Sequence, residues 1–187
     1  NEEAFRWACY NGHLEIAKLL IEISEEKKLG AINIHANNED AFRFACRNGH
    51  LEVAKWLIEI SEEKKLGLIN IHIDNEFAFY SACGNGHLEV AKWLIEISKK
   101  KKLGLINIHA ENEQAFRFTY INGYFKIFKW LLTLYSYREL KNLNHSSAKE
   151  ELENRRKTNI GLILYLYERK FKLLDIHAIA ISWKEYL

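Results

Sequence analysis

The 187 residues are 48% hydrophobic and 28% charged, enough apolar material for a continuous core and too much for a disordered chain. No run approaches the roughly 18 uncharged apolar residues of a membrane span, and no basic start followed by an apolar stretch marks a signal peptide. Net charge is +2, yet residues 1–98 carry 10 Lys/Arg against 16 Asp/Glu and residues 99–187 carry 17 against 9, a polarity able to orient a charged partner.

In chain order the first feature is a repeat. Asn11-Gly12-His13 returns as Asn48-Gly49-His50, Asn85-Gly86-His87 and Asn122-Gly123-Tyr124, with a period of 37; Ala4-Phe5 returns in the same register. The units run over about 1–37, 38–74, 75–111 and 112–141. Each unit predicts two helices. The first opens at Asn-Glu (Asn1, Asn38, Asn75, Asn112), with Asn as N-cap and Glu at the positive end of the dipole. Phe42, Ala45 and Cys46 form its apolar face, and Gly49 ends it. The second begins near His50-Leu51 and carries an apolar stripe too wide for one flank (Leu51, Val53, Ala54, Trp56, Leu57, Ile58, Ile60), so it should pack on its partner and on the next unit. It continues through Lys64-Lys65 and should stop at Gly67. Residues 68–75 then return the chain as an extended finger with β-like pairing to its neighbours. Such short helix pairs are marginal alone and gain stability by stacking.

The fourth unit drifts: Tyr120 replaces Cys, Tyr124 replaces His, Phe125 replaces Leu and Phe128 replaces the small Ala. Phe128 should block close approach of a further standard unit, so residues 142–187 are expected to form an irregular helical cap or a degenerate fifth repeat. That cap would open at the capping box Ser147-Ala148-Lys149-Glu150. With no Met anywhere, the chain is expected to be a piece of a longer protein.

These units resemble ankyrin repeats. Asp40-Ala41-Phe42-Arg43 stands where that family has Thr-Pro-Leu-His, Ala45-Cys46 where it has an Ala pair, and Gly49-His50 at its Gly-His; Leu51-Glu52-Val53-Ala54-Lys55-Trp56-Leu57 is similar to its second helix. The resemblance covers about residues 1–141 and implies an all-α, ankyrin-like helical solenoid of four helix-turn-helix repeats with finger loops. In style, Asn-Gly-His-Leu-Glu-Val-Ala-Lys-Trp-Leu is closest to arrays of large DNA viruses. Departures are the period of 37 rather than 33, the absence of proline, and Arg6, Arg43, Tyr80 and Arg117 in place of the first-helix His. The hydrogen bonds of that His cannot be carried over.

Chemistry-bearing residues recur once per unit. His13, His50, His87 and His35, His72, His109 form ladders with rungs about 10 Å apart, too far to converge on one metal ion. Cys9, Cys46 and Cys83 share one core slot and are expected to be reduced, in an intracellular protein. No phosphate loop, paired carboxylates or zinc spacing appears, so neither catalysis nor a cofactor is expected. Lys99-Lys100-Lys101-Lys102 with Arg155, Arg156 and Lys157 could meet nucleic acid, but a solvated helix end explains the lysines as well. Neither nucleic acid nor a membrane is the expected partner.

The stronger signal is variation on a fixed frame. Trp7, Phe44, Ser81 and Phe118 share a slot, as do Tyr10, Arg47, Gly84 and Ile121; Glu3, Asp40, Phe77 and Gln114; and Asn37, Asp74 and Glu111. Positions that differ between near copies should be free of packing constraint. The resemblance places them on the concave first-helix face and the finger tips, where aromatic and Arg side chains suit a protein partner. The expected binding residues are Trp7, Tyr10, Phe44, Arg47, Phe77, Ser81, Phe118, Ile121, Asn37, Asp74 and Glu111. The alternative is a structural component that packs against copies of itself.

Overall fold

The structure is a computed structural model that describes residues 2–134. The expected cap at 142–187 and the end of the fourth unit lie outside the described residues. Among the described residues eight helices alternate in pairs: α1 (Glu2–Tyr10) with α2 (Leu14–Glu26), α3 (Ala36–Arg47) with α4 (Leu51–Glu63), α5 (Ile73–Gly84) with α6 (Leu88–Lys100), and α7 (Ala110–Ile121) with α8 (Phe125–Leu134). The first helices stand side by side in the order α1, α3, α5, α7, while α2, α4 and α6 keep their closest backbone approaches for their own partners.

The period sets the packing. Phe5, Phe42 and Phe79 are fully buried, and each meets the tryptophan of the following unit's second helix: Phe5 with Trp56 at 6.2 Å, Phe42 with Trp93 at 6.3 Å and Phe79 with Trp130 at 6.4 Å between ring centroids. The small residues Ala45, Cys46, Ala54 and their equivalents are buried beside them, allowing the helices to approach. Each buried Phe contributes about 1.5–3 kcal/mol.

Gly49 ends α3 as expected. It has φ +81°, its N–H bonds the Cys46 carbonyl, and the His50 N–H bonds Ala45. The glycine has a second duty, because the His87 ring lies on it: a Cβ there would be 2.4 Å from His87 Nδ1. Gly12 receives His50 and Gly86 receives Tyr124 in the same manner. The fourth unit's Tyr for His thus preserves the contact.

Three expectations are corrected. The second helices stop at Glu26, Glu63 and Lys100, short of their glycines. The left-handed residues that close them are Lys28, Lys65 and Lys102 (φ +52°, +53° and +53°). Leu66 N–H bonds Ser61 O and Lys65 N–H bonds Glu62 O, a complete closure reached before Gly67.

The second correction concerns the first helices. Asn38 is no N-cap: Asn37, Asn38 and Glu39 are all left-handed, as are their equivalents at 74–76 and 111–113. Left-handed backbone costs about 1–2 kcal/mol per non-glycine residue, and the compensation is visible. Glu39 is buried, accepts from His35 at Nδ1 (2.9 Å) in the finger before it and receives the Asn70 N–H of the finger that follows (3.2 Å). Glu76 repeats this with His72 and the Asn107 N–H (3.0 Å).

The third correction follows from the second. Among the described residues there is no strand. One finger N–H per unit (Asn33, Asn70, Asn107) goes instead to a carboxylate of Glu2, Glu39 or Glu76, so neighbouring fingers are tied by side chains.

Phe128 stands in the slot of the small Ala, and the approach of a further unit to it lies outside the described residues. It is buried in its own unit, 4.6 Å from the Phe116 ring and 5.9 Å from Tyr120. Phe116 is only partly buried, unlike Phe5, Phe42 and Phe79.

Candidate partner-binding face

The side of the first helices opposite the Phe–Trp contacts carries the variable positions. Trp7 and Tyr10 meet edge to face at 5.4 Å. Tyr10 then contacts Phe44 (5.7 Å), Phe44 contacts Phe77 (5.9 Å) and Phe77 contacts Tyr80 (5.4 Å). Five rings therefore run without a break across three units. Two guanidinium groups lie over them: Arg43 above Phe44 (5.6 Å) and Phe77 (5.1 Å), and Arg47 above Phe44 (5.7 Å).

An ion-pair chain follows the rings. Arg6 meets Asp40 at 3.2 Å, Asp40 meets Arg43 at 2.7 Å, and Arg43 reaches Asp74. Arg6 and Arg43 occupy the slot of the family's first-helix His, so cross-unit ion pairing replaces its bonding here. Desolvation first, then the nearby Glu111 and Asp74 carboxylates, push the Tyr80 phenol above its ordinary value. Between α1 and α3 the face opens into a hollow of about 290 Å³ lined by Glu3, Arg6, Trp7, Tyr10, Asp40 and Phe44.

The expected binding residues are sorted by this geometry. Trp7 is 57% exposed, and Tyr10, Arg47 and Ile121 are exposed. Phe44, Phe77 and Phe118 are half-buried. Asn37, Asp74 and Glu111 are exposed on the fingers: the Asn37 carbonyl accepts from Arg43, Asp74 pairs with Arg43, and Glu111 accepts from Asn75 at 2.6 Å. Ser81 is buried, its hydroxyl donating to the Phe77 carbonyl, and offers no surface.

Variation does not mean freedom from packing. Gly84 is buried under Phe118, whose Cβ would lie 2.9 Å from a Cβ on that glycine; a large residue in one unit sits on a small one in the unit before. Arg6, Asp40, Arg43 and Tyr80 belong to the face but stood outside the expected set. The hint lay in the Arg and Asp of successive units, whose pairing only the stacking reveals.

The other chemistry-bearing groups have structural partners. Cys9, Cys46 and Cys83 are free and buried; burial pushes the Cys9 thiol up to about 12 and raises the other two further, away from thiolate chemistry. Among the described residues no three His, Cys, Asp or Glu side chains converge as a metal site. No described helix is long and apolar enough to cross a membrane.

Comparison with known proteins agrees with this architecture. No curated protein matches the chain. A crystal structure of an ankyrin repeat family protein from Legionella pneumophila superposes with a TM-score of 0.61 at 24% identity, over 100% of this chain and 49% of that one. The chain therefore spans about half the length of that protein, and the likeness speaks for the fold alone. The family model for ankyrin repeats (3 copies) matches residues 1–67 and 45–144, and the chain belongs to the ankyrin-repeat family.

Proposed function

We propose that the array is a non-catalytic module that binds a partner protein on its first-helix face. Ankyrin repeats are in general protein–protein interaction modules. The observation that carries the reading here is the unbroken run Trp7–Tyr10–Phe44–Phe77–Tyr80 with Arg43 and Arg47 above it. Aromatic and Arg side chains are the types enriched in interface cores and binding hot spots. First helices packed more closely than second helices bend a stack toward the first-helix side, which favours a concave surface. The anchors are Trp7, Tyr10 and Arg47, with Phe44 and Phe77 as floor and Asn37, Asp74, Glu111, Phe118 and Ile121 at the margins. An intracellular setting, supported by three free buried cysteines, and an origin like that of viral arrays belong to the same proposal.

The test is capture of a partner from a cell lysate by the chain and by a W7A/Y10A/R47A variant, with circular dichroism to show that both are folded. A protein held by the first and lost from the second supports the reading. Equal capture by both would refute it for this face. Concentration-dependent self-association abolished by the same variant would replace the foreign partner with a second copy of the chain.

A further inference from the structure

The ends of the second helices form an edge quite unlike the first-helix face. The stretches 24–31, 61–68 and 98–105 are equivalent, contain no aromatic residue and no Arg, and carry eight lysines against four glutamates. They stack in register. Lys64 pairs with Glu25 and Lys101 with Glu62, each one unit back. A Cβ on Gly104 would lie 3.1 Å from His72 Nε2, and one on Gly67 3.7 Å from His35 Nε2. Along this edge leucines stand in solvent: Leu29 is 56% exposed, Leu66 41%, Leu68 65% and Leu105 74%. The third unit differs from the first two in charge, because Lys99 and Lys100 replace the glutamates; they, Lys102 and Leu105 are all exposed within seven consecutive residues.

We propose that this edge, centred on Lys99, Lys100, Lys102 and Leu105 with Leu68 one unit away, docks on the surface of an anionic lipid bilayer. Protein interfaces are depleted in Lys and enriched in aromatic residues and Arg; here the composition is the reverse. Nucleic acid would use the lysines but gives aliphatic side chains nothing to enter. An anionic bilayer surface uses both: lysines meet the headgroups while leucines pass into the acyl boundary, and no membrane-spanning helix is required. The glutamates offset only part of the charge: Glu25 and Glu62 are paired with Lys64 and Lys101, which leaves six lysines against Glu26 and Glu63. The site shares no residue with the first-helix face, so the two readings stand or fall separately.

The full chain is sedimented with phosphatidylcholine vesicles with and without phosphatidylserine. Binding is expected only to the anionic vesicles and should weaken as salt rises. K99Q/K100Q/K102Q should lower the partition roughly a hundredfold at low salt, and L68S/L105S about tenfold. All five side chains are exposed, so both variants should keep the circular dichroism of the parent. Absence of binding to anionic vesicles would overturn the proposal. So would binding unchanged in both variants, which would move the contact to other residues. Loss in the lysine variant alone, with equal loss of a single-stranded oligonucleotide, would identify a site for polyanions in general and equally overturn it.

Discussion

On its core side the first helix of each of the first three units repeats one contact: Phe5, Phe42 and Phe79 are buried, and each meets a tryptophan of the next unit within 0.2 Å of the same separation. On its open side no slot repeats across all units; Trp7 becomes Phe44, Ser81 and Phe118, and Tyr10 becomes Arg47, Gly84 and Ile121. One helix therefore carries two kinds of constraint. The core side must match an identical neighbour, so its residues are fixed in both size and position. The open side needs only local complementarity, as where Phe118 covers Gly84, and can otherwise follow a partner.

The core side should suffer most from Phe42→Ala. The side chain is wholly buried and supports Trp93, so its removal should cost about 3–5 kcal/mol. Urea unfolding followed by tryptophan fluorescence measures this. A loss below about 1 kcal/mol would mean that the Phe–Trp contact does not join the units. Next comes Gly49→Ala, which combines a left-handed backbone with a Cβ 2.4 Å from the His87 ring. It should cost at least about 2 kcal/mol. The same substitution at Gly30, with φ +94° but nothing within 4 Å, should show the backbone penalty alone.

How much of this was legible follows the range of each interaction. The 37-residue period, the helix pairs, the terminating Gly49 and the shared cysteine slot are written in local pattern. What escaped depends on backbone geometry or on partners distant in sequence. Lys65 takes the first left-handed position at the end of α4, two residues before Gly67, where the Leu66–Ser61 and Lys65–Glu62 backbone bonds close the helix. Glu39 read as a helix-dipole residue, yet it is buried and holds the next finger through Asn70. A side-chain bond thus stands where strand pairing was expected. Ser81 looked like a variable surface position, and only the stacked helices show it covered. On the candidate face, the residue types were visible but the Arg6–Asp40–Arg43–Asp74 chain was not, since its partners lie more than 30 residues apart for two of its three links.

A smaller effect separates the two rings that fill one slot. Burial, then the adjacent His50, hold His87 below the ordinary value of 6.5, with a backbone bond to Arg47 opposing the shift. A depressed histidine binds a proton less readily in the folded chain than in the unfolded one. Its contribution to stability is therefore present above about 6.5 and is lost as pH falls below it. His87→Tyr copies the fourth unit's solution, where Tyr124 lies on Gly86. It should fold and should lose less stability than the parent between neutral pH and pH values below 6.5. Parallel urea curves at the two pH values decide the matter; equal losses in both proteins would remove His87 as a source of acid sensitivity.

The smallest effect on stability should come from the open side, and there smallness is the informative result. Trp7 is 57% exposed and Arg47 is exposed, Trp7 touching only Tyr10 among the described rings and Arg47 lying over Phe44. Trp7→Ala and Arg47→Ala should each shift unfolding by no more than about 0.5 kcal/mol. Binding anchors, by contrast, cost 2 kcal/mol or more in affinity, roughly a thirtyfold weakening. A large, exposed tryptophan that does little for folding but much for capture would separate the open side from the core side by energy as well as by sequence. If Trp7→Ala instead destabilised the array as strongly as Gly49→Ala, the ring ladder would be a second structural seam, and its aromatic character would owe nothing to a partner.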